Sequence, residues 1–267
     1  MDRVLEYEIP SEYDGANITT VLKQHFKIST NLIKDLKKYK EGIQVNGEHK
    51  RVVDFVAKGD ILKITIRDTA SENIVPTDIP LDIVYEDEDV LVINKPPNMP
   101  THPSMGNYEN SLANGVMYYY KSKGEERVFR AVNRLDKDTS GLMAVAKNSY
   151  IHARLGEEIQ KKELKRKYMC IVCGDVEHDG TVDAPIRRAD GSVINRIVAP
   201  DGQRAVTHYR VIKRYREYTL LEMELETGRT HQIRVHMAYI GHPLVGDWLY
   251  GTEDHNIAKR QMLHSCY

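Results

Sequence analysis

Residues 133–146 read NRLDKDTSGLMAVA, a polar run that leads directly into an apolar one. The apolar part, 142–146, is short and follows a Thr-Ser-Gly turn signal, which predicts a buried strand. Two carboxylates, Asp136 and Asp138, precede that strand. Because rigid elements often present catalytic groups on the loops at their ends, the stretch predicts a functional loop. It leaves open which aspartate reacts.

Further strands and one helix are predicted on either side of this loop. Short apolar or alternating runs predict strands at 90–94, 168–173 and 218–225. Residues 231–240 carry apolar side chains at helical spacing, and Gly241 is placed to end that helix. Many strands with few helices predict an α+β fold whose central sheet is largely antiparallel.

The N-terminal part of the chain predicts a compact helix-helix-strand-strand unit. Its expected elements are helices at 17–27 and 30–40 and strands at 43–45 and 61–66. Ser29 or Thr30 can cap the second helix, and Gly42 is placed to end it. The pair Asn46-Gly47 predicts a tight hairpin turn between strands.

The polar stretch RDTASENIVPTD at 67–78 contains one proline and no apolar periodicity, as is typical of a linker. We therefore divide the chain into a small α/β domain at 1–67, a linker at 68–78 and a larger domain at 79–267. A chain of 267 residues is long enough for this arrangement and for a substantial core.

Composition indicates a protein of a reducing compartment. The 38 basic and 39 acidic residues nearly cancel, so the net charge of −1 says nothing about nucleic acid. No apolar run approaches the roughly 20 residues of a membrane span, and the N-terminus lacks the apolar core of a signal peptide. Three cysteines are too few for a disulfide framework. We expect a cytoplasmic protein without a membrane partner.

Two stretches concentrate positive charge. Residues 23–40 hold six lysines against one aspartate, and Lys34, Lys37 and Lys38 share one face of the predicted helix. Residues 161–167, KKELKRK, form a second cationic arm that runs into an aromatic residue. Such clusters can neutralise nucleic-acid phosphates, but an ordinary solvated surface carries similar blocks. Charge alone does not separate the two interpretations.

Three interpretations compete for the aspartate pair. Asp138 beside Thr-Ser-Gly fits ordinary turn chemistry, in which its oxygens accept backbone N–H groups. An aspartic protease would need Gly directly after Thr and a second catalytic aspartate, and neither is present. The third is a single catalytic carboxylate that faces a cation. Arg229 and Arg234 are natural opposing cations, since a guanidinium can hold a carboxylate ionised and oriented.

The histidines and cysteines predict no metal site. His231 and His236 are five residues apart, which misfits the i, i+4 pair of zinc-binding helices. Cys170 and Cys173 lie in a predicted strand, where positions three apart face opposite sides. Packing in the core explains these thiols better than shared ligation does.

Four blocks of the sequence resemble those of one enzyme family, in the same order along the chain. They are VINKPPNMPTHPS (92–104), NRLDKDTSG (133–141), KRKYMCIVCG (165–174) and ETGRTHQIRVHMAYIGHPLVGDWLYG (226–251). They resemble the RluA/RluD family of ribosomal RNA pseudouridine synthases. The N-terminal unit resembles the helical RNA-binding domain shared with small-subunit ribosomal protein four. The resemblance implies a mixed, mostly antiparallel catalytic sheet and neither a metal nor an organic cofactor.

The resemblance also implies roles for individual residues. Asp136 matches the catalytic aspartate, Tyr168 the active-site tyrosine that stacks on the target base, and Arg234 the arginine that pairs with the carboxylate. Arg134 matches a residue that fills the gap left by a flipped nucleotide. It follows that Asp136 reacts and that Asp138 shapes the loop.

Further residues in or beside the matched blocks are assigned to substrate binding. They are Lys95, Lys165, Lys167, Arg229, His231 and Gln232, and in the N-terminal domain Lys34, Lys37 and Lys38. The implied partner of this monomeric enzyme is large-subunit ribosomal RNA. A synthase that acts on transfer RNA and a non-catalytic RNA-binding or ribosome-assembly factor are the alternatives.

The chemistry of the implied reaction suits these side chains. The enzyme would detach uracil from ribose, rotate it and rejoin it through carbon, so positive charge develops on the sugar. A carboxylate near that centre can add to it or take the neighbouring sugar proton, and the sequence leaves both roles open. A phenolic oxygen can accept or relay the proton from carbon five. A stacked uridine must first be flipped out of its helix.

Two positions depart from the family pattern. The family usually has His where this chain has Asn133, which predicts a change in loop geometry or substrate choice. The chain also stops at MLHSCY, whereas relatives usually continue for another strand or two. We therefore expect either a truncated chain or a shortened edge of the sheet.

Overall fold

The structure of the protein, a computed structural model, describes residues 2–67, 73–251 and 257–267. These residues form two main sheets, each with its own hydrophobic cluster. The small sheet belongs to the N-terminal residues and the large sheet to the remainder of the chain.

The N-terminal elements surround a four-stranded antiparallel sheet. In chain order they are β1 (Arg3–Glu8), a 3-10 helix (Ser11–Tyr13), α1 (Ile18–Gln24), α2 (Thr30–Leu36), β2 (Ile43–Val45), β3 (Glu48–His49) and β4 (Ile61–Ile66). The strand order is β1-β4-β2-β3, with antiparallel neighbours throughout. Apolar faces of α1 and α2 pack against β2 and β4, because Val21, Leu36, Ile43 and Ile64 share one cluster.

The turn and cap predictions for this unit are confirmed, and one terminus differs. The Ser29 side chain accepts the Leu32 N–H at 3.2 Å, and Asn46 and Gly47 both have positive φ, as a type I′ hairpin requires. The second helix ends at Leu36, not at Gly42. Gly42 instead allows close approach to the Leu36 carbonyl, which a Cβ atom would prevent. β1 was not predicted, because its side chains are only half-buried.

The remaining elements build the eight-stranded sheet and cover it. They are β5 (Ile83–Glu86), β6 (Val90–Lys95), α3 (Leu112–Ser122), β7 (Ser140–Ala146), α4 (Ser149–Gln160), β8 (Lys167–Cys173), β9 (Gly180–Asp183), β10 (Ile186–Arg188), β11 (Arg196–Val198), β12 (Val206–Arg214), β13 (Tyr218–Leu225), α5 (Gln232–Tyr239) and β14 (Leu263–Ser265). The order is β5-β6-β7-β14-β8-β13-β12-β9, while β10 and β11 form a separate pair. One contact, β7 with β14, is parallel and the others are antiparallel. The predicted α+β class with a mixed, mostly antiparallel sheet is confirmed.

The C-terminal residues contribute an interior strand to this sheet. β14 lies between β7 and β8, and the edges of the sheet are β5 and β9, while the expected truncation or shortened edge stays a prediction. β7 approaches β14 closely at Gly141, where a Cβ atom would collide with the Ser265 backbone. Gly141 also has φ +114°, which L side chains rarely adopt. The loop before β7 is thereby fixed against the C-terminal strand.

Contacts join the two sheets, and the predicted domain boundaries stay a prediction. The Tyr150 hydroxyl donates to the Phe26 carbonyl at 2.9 Å, and Arg3 pairs with Asp89 at 2.9 Å. Part of the predicted linker, 68–72, lies outside the described residues. The next residues lack helix and strand, and Thr77 N–H donates to Asn114 O in α3.

Among the described residues, none of the helices combines the length and apolar character that a membrane crossing requires.

Candidate active site

A cleft of about 560 Å³ opens over the start of β8. Its walls are the loop before β7, the segment 100–104 and the start of α5. Seven of the residues that the sequence predicts for the site line it: Arg134, Asp136, Tyr168, Arg229, His231, Gln232 and Arg234. Asp138 does not line it. The two aspartates of the opening stretch therefore differ in their access to the cleft.

Asp136 and Asp247 share one guanidinium. Arg234 Nη1 donates to Asp136 Oδ2 at 3.1 Å, while its Nε and Nη2 form a bidentate pair with Asp247 at 2.7 and 2.9 Å. Arg234 is 4% exposed and Asp247 is fully buried. Burial lowers the pKa of Arg234, but the hydrogen bonds and charges of both carboxylates outweigh it and raise the pKa overall. Arg234 is thus a permanently charged, oriented partner for Asp136.

The backbone of the Asp136 loop is held at four successive carbonyls. Leu135 O accepts the buried Thr101 hydroxyl at 2.9 Å, and Asp136 O accepts the Thr139 N–H at 3.1 Å. The next two carbonyls, of residues 137 and 138, accept side-chain nitrogens of Lys95 and Arg260, each at 3.1 Å. A loop with four successive carbonyls bonded holds its carboxylate in a preorganised position.

Lys95 supports this loop from the protein interior and does not line the cleft. Its side chain is fully buried, and Nζ donates to the carbonyls of Pro96, Met99 and Lys137 at 2.9, 2.7 and 3.1 Å. Burial lowers the pKa of Lys95 to about 8, against the opposing charges of Asp138 and Asp136. Sequence reasoning assigned Lys95 to substrate binding. In the structure its ammonium group instead bonds backbone carbonyls of the loop and of residues 96 and 99.

Arg260 ties the same loop to the C-terminal strand. Its Nη1 donates to the carbonyls of Asp138 and Leu263, and its Nη2 donates to Ser140 Oγ at 3.1 Å. Ser140 Oγ also lies 3.0 Å from His264 Nδ1. The segment around β14 therefore contributes to the position of Asp136 although it is more than 120 residues away in sequence.

Tyr168 faces the cleft from the start of β8 and is 5% exposed. Burial raises the pKa of its phenol, while the nearby Arg166 charge and the Ser265 and Asn133 side chains oppose the shift. Asn133, which stands where the family usually has His, also accepts the Ala144 N–H at 3.3 Å. The phenol is neutral at physiological pH in this environment.

The cationic arm divides between two faces. Side chains two positions apart share a face of a strand, so Arg166 lies with Tyr168 on the cleft wall. Lys165 and Lys167 do not line the cleft. They pair with Glu224 and Glu222 of β13, at 3.1 and 3.5 Å.

Arg166 was missed by sequence reasoning, although the alternation relative to Tyr168 could have identified it. Its Nε is buried without a hydrogen-bond partner among the described residues. The guanidinium lies over Gly228, where a Cβ atom would come within 2.8 Å of Nη1. Asp247 was also missed, because no local pattern distinguishes a buried partner of an arginine from an ordinary turn residue.

Gln232 and His236 hold the segments around the site together through hydrogen bonds. The amide of Gln232 bonds Thr227 Oγ1 and Arg229 N on one side and Val206 O and Thr207 Oγ1 on the other. His236 lies between Thr207 Oγ1 and the Ala184 carbonyl, both at 2.9 Å. The polar atoms of both side chains are therefore already hydrogen-bonded within the protein.

His231 lines the cleft beside Asp136. Its Nδ1 lies 2.8 Å from the Tyr250 hydroxyl, and its Nε2 lies 3.9 Å from Asp136 Oδ1. It precedes α5 with φ +58°. Cys170 is buried and Cys173 partly exposed on β8, which confirms that they face opposite sides of the sheet.

The N-terminal lysines lie apart from the cleft. Lys34 is in α2, while Lys37 and Lys38 follow its end, so the predicted shared helical face does not extend over all three. All three are exposed, and Lys38 pairs with Asp35 at 2.6 Å. They do not line the cleft.

Comparison with known proteins identifies the family. Residues 89–239, more than half of the chain, match the family described as RNA pseudouridylate synthase. The chain is 45% identical over 240 residues to "Uncharacterized RNA pseudouridine synthase YjbO" of Bacillus subtilis, which covers 89% of this chain and 84% of that protein. It is 50% identical over 176 residues to "Ribosomal large subunit pseudouridine synthase D" of Escherichia coli O6:H1, which covers 66% of this chain and 54% of that protein.

A solved structure shares the fold. Human RNA Pseudouridylate Synthase Domain Containing 1 superposes with a TM-score of 0.59 at 24% identity, over 71% of this chain and 78% of that one. The matched family segment contains the loop of Asp136, the strand of Tyr168 and the helix of Arg234. The chain therefore belongs to the RNA pseudouridylate synthase family, whose members are isomerases that convert uridine to pseudouridine in RNA.

Proposed function

We propose that this protein isomerises uridines of large-subunit ribosomal RNA, with Asp136 as its catalytic carboxylate. The observation that carries the proposal is the buried pair of Arg234 with Asp247, which presents Asp136 to a cleft shared with Tyr168. A carboxylate held by a buried guanidinium beside a tyrosine in one cleft is a usual arrangement of an acid–base or nucleophilic site.

The orientation of Asp136 leaves one oxygen for chemistry. Arg234 donates to Oδ2, whereas Oδ1 has no hydrogen-bond partner among the described residues and lies 3.9 Å from His231 Nε2. Cleavage of the glycosidic bond develops positive charge on the sugar, which a fixed carboxylate stabilises. Oδ1 can add to the sugar carbon or remove the neighbouring proton, and both roles stay open.

Tyr168 supplies a neutral aromatic surface beside that carboxylate. A flipped uracil can stack on such a ring, which offsets part of the cost of unstacking. Because burial raises the pKa of Tyr168, a phenolate base is disfavoured. If the Tyr168 oxygen accepts the proton from carbon five, the phenolic proton must leave at the same time.

Three arginines of the cleft fit the RNA backbone. Among the described residues, Arg134, Arg166 and Arg229 form no ion pair with a carboxylate. Unneutralised guanidiniums bind phosphates and release counterions. Arg134 is exposed beside Asp136, where it can fill the space of a flipped nucleotide.

The N-terminal domain at 1–67 adds a second RNA contact in this proposal. It would act as the RNA-binding domain of the ribosomal protein four type, joined through 68–78. Exposed Lys34 and Lys37, which form no ion pair among the described residues, support that role. Lys38 is partly neutralised by Asp35, so its contribution is smaller.

Large-subunit ribosomal RNA is the proposed substrate of a monomeric, cytoplasmic enzyme. The support is the name of the Escherichia coli relative, of which this chain spans 54%. Transfer RNA is the alternative substrate.

Tritium release from carbon five of labelled uridine tests the proposal. Unmodified large-subunit ribosomal RNA and transfer RNA would be offered separately to the wild type and to Asp136→Asn. We expect release from ribosomal RNA by the wild type alone, with RNA binding retained in the variant. Release only from transfer RNA would identify transfer RNA as the substrate instead. RNA binding without release from either RNA would favour an assembly factor.

A further inference from the structure

We propose that Asp136 and His231 together recognise the ribose 2′-hydroxyl of the target nucleotide. In this arrangement Asp136 Oδ1 accepts the hydroxyl proton, and His231 Nε2–H donates to the hydroxyl oxygen. The inference rests on the proposed function and names the feature by which this site distinguishes RNA from DNA. It makes His231 a specificity-determining contact.

The direction of the hydrogen bonds follows from the Tyr250 hydroxyl. That oxygen accepts the Arg196 backbone N–H at 3.0 Å and lies 2.8 Å from His231 Nδ1. Within the part of the chain that the structure describes, it has no other hydrogen-bond partner. If Nδ1–H donated to this oxygen, the phenolic proton would have no acceptor among the described residues, so we assign that proton to Nδ1. His231 Nδ1 is then the acceptor, and the imidazole proton resides on Nε2.

The charge state of both rings supports this assignment. Burial lowers the pKa of His231, although Asp136 raises it, and Arg234 and Arg196 lower it further. Burial also raises the pKa of Tyr250. A neutral imidazole beside a neutral phenol can hold one proton on each partner, as the chain of hydrogen bonds requires.

The backbone fixes where Nε2 points. His231 occupies the left-handed region with φ +58°, an uncommon conformation for a residue with a side chain. It caps no helix N–H with its side chain. The conformation is therefore not explained by helix capping, and it directs the ring between Tyr250 and Asp136. Uncommon backbone conformations of this kind are concentrated at functional sites.

The spacing of donor and acceptor selects a hydroxyl. Nε2 and Oδ1 are 3.9 Å apart, too far for a direct hydrogen bond but near enough for one oxygen to contact both. That oxygen must accept from one group and donate to the other, as a hydroxyl does. In an internal nucleotide the 3′ and 5′ oxygens are esterified, so the 2′-hydroxyl is the one available. It neighbours the sugar carbon at which Asp136 would react.

The test compares two RNAs that differ at one atom. After the modified uridine is mapped, short RNAs would carry uridine or 2′-deoxyuridine at that position. Equilibrium binding and single-turnover rates would be measured for wild type, His231→Asn and Tyr250→Phe. Asn tolerates the left-handed conformation but is too short to reach the hydroxyl. Tyr250→Phe keeps the ring near Arg234 and removes the proton that sets the tautomer.

We expect the wild type to prefer the ribose substrate, and His231→Asn to lose about tenfold of that preference, as for one hydrogen bond. Tyr250→Phe should lose a smaller part. If His231→Asn weakens both substrates equally, His231 only positions Asp136 and the proposal is overturned. If His231→Asn does not fold, an unchanged preference in Tyr250→Phe overturns it. Failure of the proposed function is distinguishable, because the wild type would then modify neither RNA.

Discussion

The chain that enters β8 carries positive charge on both of its faces, but the two faces have different surroundings. On one face, Lys165 and Lys167 each pair with a glutamate of β13. On the other, Arg166 lines the cleft beside Tyr168 and has no carboxylate partner among the described residues. The same basic arm, read as a single block in the sequence, is therefore neutralised on one side and available on the other.

This difference separates charge content from charge available to a ligand. A lysine with a glutamate partner contributes little to binding an anion, because the partner must be displaced first. Ion pairs of this protein likewise differ by their position, buried or exposed. The pair of Arg234 with Asp247 is buried, whereas Arg210 pairs with Glu222 on the exposed side of the sheet. If charge availability matters in this way, the position of a residue relative to the cleft should decide the effect of its substitution.

The largest difference is expected between Arg234→Gln and Arg210→Gln. Removal of Arg234 leaves the fully buried Asp247 without its partner, which should lower the unfolding free energy by about 3–5 kcal/mol and abolish activity. Arg210→Gln should change stability by about 0.5 kcal/mol or less, because exposed pairs contribute little. Denaturant unfolding measures both. Equal losses would show that burial does not distinguish the pairs.

Lys95→Met tests a lysine whose partners are carbonyls. The carbonyls of Pro96 and Met99 lose their donor, and that of Lys137 keeps only the Met99 N–H, so the unfolding free energy should fall by about 2–3 kcal/mol near pH 7. In the wild type, burial lowers the pKa of Lys95 to about 8 from 10.5. The unfolded chain then binds more protons between these values, so wild-type stability should rise with pH across this window.

That rise should be reduced in Lys95→Met, while Lys167→Met should keep it. Activity of the wild type should nevertheless decline above about pH 8, because a deprotonated amine has two donor hydrogens for three carbonyls. Unfolding free energies measured from pH 7 to 10 check the sign. Stability that falls through this window only in proteins with Lys95 would contradict the assignment.

RNA affinity should separate Arg166 from Lys165. Arg166→Gln should weaken RNA binding about tenfold and reduce the dependence of log Kd on log salt by roughly one unit. Lys165→Gln, on the paired face, should change affinity less than about twofold. Salt titrations of binding to ribosomal RNA provide the comparison. Similar losses in both variants would mean that the ion pair with Glu224 does not shield Lys165.

The smallest effect is expected from Glu222→Gln. The change removes the carboxylate shared by Lys167 and Arg210, and so raises the positive charge outside the cleft. Stability should change by about 0.5 kcal/mol or less, and RNA affinity should improve less than about twofold. Binding assays at low salt give the most sensitive measurement. A large gain would identify the outer face as a second RNA surface.

Local sequence patterns were sufficient for several elements. The strand at 218–225 has the predicted bounds, and α5 lies within the predicted 231–240 and is followed by Gly241 with positive φ. Hydrophobic periodicity and turn residues specify such segments within a few positions. The cleft residues Asp136 and Tyr168 were found because the resemblance covered their motifs. Their roles stay predictions.

Long-range arrangement could not be read from the same patterns. β14 pairs with β7 and β8 although it is far from both in sequence, and its three residues carry no distinctive periodicity. The helices α3 and α4 were not predicted. Lys95 was expected in the cleft and Arg166 was not predicted, because the carbonyls that bind Lys95 and the glutamate that pairs with Lys165 come from distant parts of the chain.

The central claim is that Asp136, in the cleft, performs the chemistry and that Asp138, outside it, supports the loop. Single-turnover rates of Asp136→Asn and Asp138→Asn on the same ribosomal RNA test it most directly, with RNA binding measured in parallel. We predict loss of at least about a thousandfold in the first variant, as for removal of a reacting group, and retained turnover in the second. Retained turnover in Asp136→Asn, with loss in Asp138→Asn, would contradict the account.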